Sequence, residues 1–300
     1  MAPNNKFKVD QLVNEAKEDK TNKKINNLAT LIDLVSSSSS DLSRFYALDG
    51  SLQLIKYFVL EKKFGMYKKN SSQEANSSET KVPSWLFEMH CDCVKEAGKL
   101  LVEVEKETLK QKLVKLYIEL LKISGECLFN DDEFQGGLRQ EDIAVLVEFA
   151  SKNTKEKTEV EVVNYILQSL SYLDFAYAFL YSVLTKIKNM KNPEPKPETL
   201  RHLFELLKSI SENMDVDEQK YLLDPVKPSD LVIKKRNKKL GAKRIKQKFS
   251  SCWLEFLNFK LPGSIVKDVL ILLKDDIIPN IQQPRLLTDF LLKYVLFVSI

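Results

Sequence analysis

The residues with the clearest potential for chemistry form one short cluster, Met89-His90-Cys91-Asp92-Cys93. Imidazole and thiolate groups are good zinc ligands, but a structural zinc site needs four ligands, normally supplied as two separated pairs. The second pair is missing here. On a helix, Cys93 would instead share a buried stripe with three apolar residues, Val94, Ala97 and Leu101, where a thiol behaves as a small hydrophobe. The cluster therefore favours a packing role, and the sequence predicts no metal.

Other signs of catalysis are weak. The acidic segments 130–133 and 215–218 lack the alternating ligand spacing and central glycine of a calcium loop, so solvated loops are the better interpretation. The chain contains no serine elbow, no phosphate-binding glycine loop and no glycine-rich dinucleotide turn. We therefore predict no catalytic residue, no cofactor and no small-molecule substrate.

Composition and periodicity predict an all-α fold. The chain has 8 glycines, where average usage of about 7% would give about 21, so folds that need many tight turns are disfavoured. Apolar residues recur at i, i+3, i+4 and i+7 along the chain, which places a ridge on one side of each helix. Three such stripes are Ile143/Leu146/Val147/Ala150, Val163/Ile166/Leu167/Leu170 and Leu200/Leu203/Phe204/Leu207, and a fourth is Leu109/Leu113/Leu116/Tyr117/Leu120. We expect an irregular helical-repeat solenoid of the HEAT or armadillo kind, with a compact bundle as the alternative.

Breaks in this pattern predict the domain organisation. Residues 1–191 are expected to form a helical-repeat region interrupted by a mobile, polar loop at 68–81. Residues 192–230 begin with three clustered prolines and are expected to form a connector with one or two helices. A basic strip at 231–248 then leads into a further helical domain at 249–300.

Compartment signals point to the inside of the cell. Four cysteines in 300 residues, without a regular framework, fit a reducing environment. The N-terminus lacks the apolar core of a signal peptide, and no 18-residue apolar stretch predicts a membrane span.

The basic strip at 231–248 is the strongest partner signal. It holds nine cations and no acid, a local charge of +9, whereas the other 282 residues carry 37 basic and 42 acidic residues and sum to −5. Such a run suits an import receptor or a phosphate backbone, since each neutralised phosphate releases a counterion. A solvated linker without a partner is the alternative. The nine cations are Lys234, Lys235, Arg236, Lys238, Lys239, Lys243, Arg244, Lys246 and Lys248.

The segment from Phe249 to Leu291 carries a family resemblance. It contains Cys252-Trp253-Leu254-Glu255-Phe256-Leu257, then a Leu-Pro break, an amphipathic helix, an apolar-Pro turn and a Pro-x-x-Leu-x-Asp-Phe-Leu run. In this order and spacing it resembles the start of the CCAAT-binding-factor-type domain of the nucleolar complex protein 4 family. The preceding stretch 221–225 resembles the family's approach to this domain.

The resemblance implies a non-catalytic nucleolar factor of small-subunit ribosome assembly. It would work with scaffold proteins of the small-subunit processome in maturation of 18S ribosomal RNA. Pre-ribosomal RNA and a nuclear import receptor are the partners expected for the basic strip. The resemblance also implies a packing core of eight residues: Trp253, Leu254, Phe256, Leu257, Pro262, Pro279, Leu287 and Phe290.

After Leu291 the sequence departs from the family pattern, which continues with a polar segment and many further residues. We therefore expect the domain at 249–300 to be incomplete, as in a truncated or alternatively spliced product or an unspliced gene model.

Two rival functions stay open at this stage. The domain's name invites a DNA-associated transcription factor, although no recognition helix or zinc module is visible. A cytoplasmic helical-repeat adaptor could use the strip to bind acidic proteins.

Overall fold

A computed structural model of the chain describes residues 2–19, 24–60, 78–128, 138–152, 157–191, 194–214, 222 and 241–292. These residues form eleven α-helices of ten or more residues, a further helical segment at 288–292 and short turns, with no β-strand ladder, so the predicted all-α class is confirmed for them. The helices fall into two compact units, Met1–Asp142 and Ile143–Ile300, with the division inside one helix. The predicted domain boundaries remain predictions.

The first unit contains five complete helices. They are α1 (Ala2–Glu18), α2 (Asn27–Ser37), α3 (Asp41–Leu60), α4 (Ser78–Glu103) and α5 (Glu107–Leu128), and α6 (Gln140–Lys152) begins at its end. Both α1 and α2 pack on α3. Gly50 of α3 allows the close approach of α1, because a Cβ atom there would lie 2.6 Å from Cγ1 of Val9.

Helices α4 and α5 form a hairpin joined by three residues, 104–106. All five members of the stripe predicted at Leu109–Leu120 are buried, as are Cys93 and its three stripe partners, so both predictions are confirmed. The predicted mobile loop lies outside the described residues up to position 77, and residues 78–81 form the first turn of α4.

The second unit contains most of α6 and five more helices. These are α7 (Lys157–Gln168), α8 (Leu173–Asn189), α9 (Pro197–Asn213), α10 (Ala242–Leu257) and α11 (Gly263–Leu272). Pro197 starts α9, where its missing N–H costs no helical hydrogen bond. The stripes predicted on α6, α7 and α9, including Leu170 in the turn after α7, are buried, which confirms them.

Helix α8 is the most buried helix of this unit. Twelve of its 17 residues are buried, including both Phe175 and Phe179, whose rings stack with centroids 5.7 Å apart. It packs along α10, while α9 packs against both α7 and α11. Since α8 is apolar on most sides, it carries no narrow stripe of the kind that the periodicity analysis detects.

Candidate nucleic-acid interface

Helix α10 has a buried face and a cationic face, and it contains the end of the basic strip and the start of the family motif. The buried residues Ile245, Phe249, Cys252, Trp253 and Phe256 recur at helical spacing. The first two turns of the same helix also carry Lys243, Arg244 and Lys246, all exposed, and the half-buried Lys248. The helix thus presents its charges on one side because its apolar residues anchor the other.

Trp253 is the centre of the buried face. Its side chain is fully buried, and its indole Nε1–H donates a hydrogen bond to Oγ of Ser211 on α9 at 3.2 Å. Phe204 of α9 meets the indole edge-to-face with centroids 6.4 Å apart, and Phe256 does so at 6.0 Å. The aromatic cluster therefore fixes α10 against α9.

Two further hydrogen bonds fix α10 to its neighbours. The Cys252 thiol donates to the carbonyl of Leu180 on α8 at 3.3 Å. The Ser250 hydroxyl accepts from the backbone N–H of Gln282 at 2.8 Å, which ties the turn after α11 to α10. Both contacts lie within or beside the segment that carries the family resemblance.

The cationic face lies beside helix α8. The Nζ atom of Lys248 is 4.7 Å from the ring centroid of Tyr181 and 5.7 Å from that of Tyr177, both on α8, within the range of cation–π attraction. Partial burial lowers the pKa of Lys248, and the positive charges of Lys188 and Arg244 lower it further, whereas Cys252 opposes the shift. Lys188, on α8, is therefore a neighbour of the strip that the sequence did not reveal.

Of the predicted strip, only the last four cations lie in the described residues. Lys243, Arg244, Lys246 and Lys248 stand on the first two turns of α10, so the strip runs into a helix. Lys234, Lys235, Arg236, Lys238 and Lys239 lie outside the described residues.

The structure buries five of the eight residues predicted to form the packing core. Trp253, Phe256, Leu257, Leu287 and Phe290 are buried, and Leu254 and Pro262 are half-buried. Pro279 is exposed, so its assignment to the core is corrected. It stands in the short 3₁₀ turn Ile278–Asn280, where the fixed φ of proline shapes the chain locally.

Leu222, which precedes the strip in sequence, is bound by a buried carboxylate. Asp174 of α8 is fully buried, and its Oδ1 accepts hydrogen bonds from the backbone N–H groups of Phe175 at 3.0 Å and Leu222 at 2.8 Å. Leu222 is itself buried and belongs to the stretch 221–225 that resembles the family's approach to the domain. Sequence reasoning missed Asp174, because its partner Leu222 lies 48 residues away.

His90 and Cys93 of the histidine–cysteine cluster of α4 are part of the core, whereas Cys91 is half-buried and Asp92 is exposed. The His90 ring is fully buried, and its Nε2 lies 3.0 Å from the carbonyl oxygen of Leu120 on α5, as a donated hydrogen bond requires. Burial lowers the pKa of His90 to about 4, and it raises the pKa of Cys91 to about 11 and that of Cys93 to about 12. The imidazole is therefore neutral and the thiols are protonated at neutral pH.

The described residues show neither a metal-binding cluster nor a membrane-spanning helix. Within them, no group of three or more histidine, cysteine or acidic side chains is placed to hold a metal ion. None of the described helices is both long and apolar enough to span a membrane.

Comparison with known proteins supports the resemblance. The chain is 24% identical over 232 residues to "Nucleolar complex protein 4 homolog" of Gallus gallus, a match that covers 72% of this chain and 42% of that protein. It is 30% identical over 142 residues to the Mus musculus protein of that name (46% of this chain, 26% of that protein). The Danio rerio protein is 45% identical over 49 residues, 16% of this chain and 9% of that protein. No family model and no solved structure matches the chain.

The resemblance to nucleolar complex protein 4 is thus confirmed, and it reaches well beyond the tail that suggested it. A match of 232 residues cannot fit within the 52 residues of 249–300, so it includes parts of the helical region before position 249. The chain spans about two fifths of the length of the Gallus gallus relative.

Proposed function

We propose that the chain acts as a non-catalytic helical scaffold in ribosome biogenesis and that it resides in the nucleolus. The observation that carries this proposal is the similarity, over 72% of the chain, to a protein named for a nucleolar complex. The names of the relatives agree with the nuclear and nucleolar localisation expected from the sequence. Because the match covers 42% of that relative, the activities of the whole relative come to this chain only as proposals.

The finer proposal is a role in assembly of the small ribosomal subunit. From the resemblance of residues 249–291, we infer that the chain binds scaffold proteins of the small-subunit processome during maturation of 18S ribosomal RNA. The packing of α10 on α8 and α9 supports a scaffold role, because it joins the resembling segment to the helices before it in one compact unit.

The basic strip supplies two further partners in this proposal. Its first part, Lys234–Lys239, has the composition that nuclear import receptors bind. Its second part lies on α10 with three exposed cations, Lys243, Arg244 and Lys246, which suits contact with the backbone of pre-ribosomal RNA.

Affinity purification from growing cells tests the proposal. The tagged chain would be recovered with and without RNase, and the co-purifying proteins and RNA identified beside imaging of its location. We expect a nucleolar signal, processome proteins and precursors of 18S ribosomal RNA. A matched control carries glutamine at Lys234, Lys235, Arg236, Lys238 and Lys239, and it separates import from assembly.

Three results would contradict the proposal. Recovery of import receptors alone would mean that the chain enters the nucleus without an assembly role. A cytoplasmic signal with acidic proteins would favour the adaptor function, and enrichment of DNA in place of pre-ribosomal RNA would favour the transcription-factor function.

A further inference from the structure

Three cations from two helices form one charged surface in the second unit. Arg244 and Lys248 are four residues apart on α10 and therefore lie on the same side of that helix, about 6 Å apart along its axis. Lys188 lies seven residues after Tyr181 on α8, which places both on one side of α8. Since Lys248 sits over the Tyr181 ring, the two sides meet. We name Lys188, Arg244 and Lys248 the α8–α10 cationic face.

This face lacks the carboxylate partners that neutralise the lysines around it. Lys186 and Lys191 flank Lys188 in sequence, and they pair with Glu148 and Glu255 respectively, the second pair at 2.6 Å. By contrast, no carboxylate among the described residues lies within 4.0 Å of the charged groups of the α8–α10 cationic face. Three neighbouring cations without a counter-charge repel one another. A bound polyanion would neutralise these charges and remove the electrostatic repulsion between them.

The surroundings of the face favour a phosphate polymer over an acidic protein. Protein partners bind mainly through buried aromatic and apolar anchors, with charges at the rim. The large apolar side chains that are exposed among the described residues lie elsewhere, and none is on α8 or α10. The exposed residues of α10 nearest to Arg244 are Lys243, its neighbour in sequence, and Gln247, three positions on and therefore on the same side of the helix. Contact with an RNA backbone needs only cations and hydrogen-bond donors, which this surface supplies.

We propose that the α8–α10 cationic face is an RNA-backbone site, in which Lys188 of α8 and Arg244 and Lys248 of α10 contact consecutive phosphates. Identifying the RNA as pre-ribosomal rests on the proposed function, whereas the site itself does not. The site recognises phosphate and not base sequence, because it offers no base-reading element. The site also adds Lys188 to the cations of the basic strip, although Lys188 lies 43 positions before the strip begins at residue 231.

The test compares two triple variants of the full chain. One carries Lys188→Gln, Arg244→Gln and Lys248→Gln. The matched control carries Lys260→Gln, Lys267→Gln and Lys274→Gln, which removes the same charge from exposed lysines of the same unit. Binding of fluorescein-labelled polyuridine is measured by anisotropy over about 50 to 200 mM salt, a range in which backbone contacts weaken strongly.

We expect the first variant to bind about tenfold or more weakly than wild type at the low-salt end. Its plot of log affinity against log salt should be shallower by about 2, because each contact with a single-stranded phosphate contributes about 0.7 to that slope. The control should keep the wild-type slope. Equal slopes and affinities for both variants would overturn the proposal, as would competition by polyglutamate at the same charge concentration as effectively as by unlabelled polyuridine.

Two controls keep the test interpretable. Circular dichroism and thermal unfolding establish whether both variants are folded. If the triple variant is not folded, the single variant Lys188→Gln, at an exposed position, gives a second measurement of RNA binding.

Two outcomes separate the site from the proposed function. If RNA binding depends on the face but the chain is absent from nucleoli, the site stands and the proposed function is overturned. If the chain assembles in nucleoli but the triple variant binds RNA as well as wild type does, the proposed function stands and the RNA-backbone site is overturned.

Discussion

The α4–α5 hairpin and the α8–α10 pair differ in which side chains the fold buries and which it leaves exposed. The hairpin contains the residues that chemistry most often uses, and the fold buries His90 and Cys93 completely, with their pKa values shifted toward the uncharged forms. The α8–α10 pair has ordinary lysines and arginines, yet it leaves Lys188 and Arg244 exposed and without carboxylate partners among the described residues. Under the proposal made above, the partner-binding surface is set by the charges that the fold leaves uncompensated and not by the residue types most often used in catalysis.

The largest predicted effect removes Trp253, the aromatic anchor that holds α10, and with it the cationic residues of α10, against α9. Trp253→Ala should lower the free energy of unfolding by about 3 to 5 kcal/mol, because it opens a large cavity and removes the indole donor of Ser211. Trp253→Phe, which keeps an aromatic ring, should cost clearly less. Denaturant unfolding followed by circular dichroism measures both, and equal losses for the two variants would show that ring packing contributes little.

The second prediction concerns the α4–α5 hairpin, where the buried His90 should make the stability of the chain depend on pH. Burial, with a smaller effect of Arg139, lowers the pKa of His90 to about 4 in the folded chain, whereas an unfolded histidine has a pKa of about 6.5. The unfolded state therefore takes up the proton first. The contribution of His90 is fully present above pH 6.5 and is lost as the pH falls toward 4, by about 3 kcal/mol in total.

His90→Gln tests this pH dependence, since its amide can still donate to the Leu120 carbonyl but does not titrate. The stability of the variant should fall less than that of wild type between pH 6.5 and 4, while carboxylates affect both chains alike. Parallel pH profiles from denaturant titrations would contradict a buried neutral imidazole.

The third prediction concerns the link between α8 and the segment before the strip. Asp174→Ala leaves the backbone N–H groups of Phe175 and Leu222 without this acceptor and should cost about 1 to 3 kcal/mol. Asp174→Asn keeps an acceptor oxygen and should cost less. Hydrogen exchange at Leu222 gives the local measurement, and unchanged protection of its N–H in Asp174→Ala would mean that the carboxylate does not hold Leu222.

The smallest predicted effect returns to the cationic face. Replacing Lys188, Arg244 and Lys248 by glutamine should change the free energy of unfolding by no more than about 1 kcal/mol, because Lys188 and Arg244 are exposed and Lys248 loses only its cation–π contacts with Tyr177 and Tyr181. The relief of mutual repulsion and the loss of the cation–π contacts have opposite signs, so a net change near zero is expected. A loss above about 2 kcal/mol in thermal or denaturant unfolding would assign these residues to structure.

Local periodicity was enough to predict the helical class and the buried stripes of α5, α6, α7 and α9. These predictions succeed because each stripe is a property of one helix and its spacing. Helix α8 gave no such signal, since it is buried on most sides. Cys93 was correctly assigned to the core from its neighbours on the same helix.

The candidate site could be predicted only in part, because it depends on contacts between distant residues. Arg244 and Lys248 stand out in the sequence as part of a cationic run. Lys188 does not, since its proximity to Lys248 arises from the packing of α8 on α10, 60 residues apart in sequence. Pro279 was assigned to the core from its place in a family motif, but a motif position can set a turn without being buried.

Ultraviolet cross-linking in growing cells tests the central claim most directly, with sequencing of the bound RNA and mapping of the cross-linked peptides. We predict cross-links to pre-ribosomal RNA on peptides of α8 and α10, and their loss when Lys188, Arg244 and Lys248 are replaced by glutamine. Retention of the same RNA by that variant, or cross-links confined to other helices, would contradict the claim that the uncompensated charges of α8 and α10 are the functional surface.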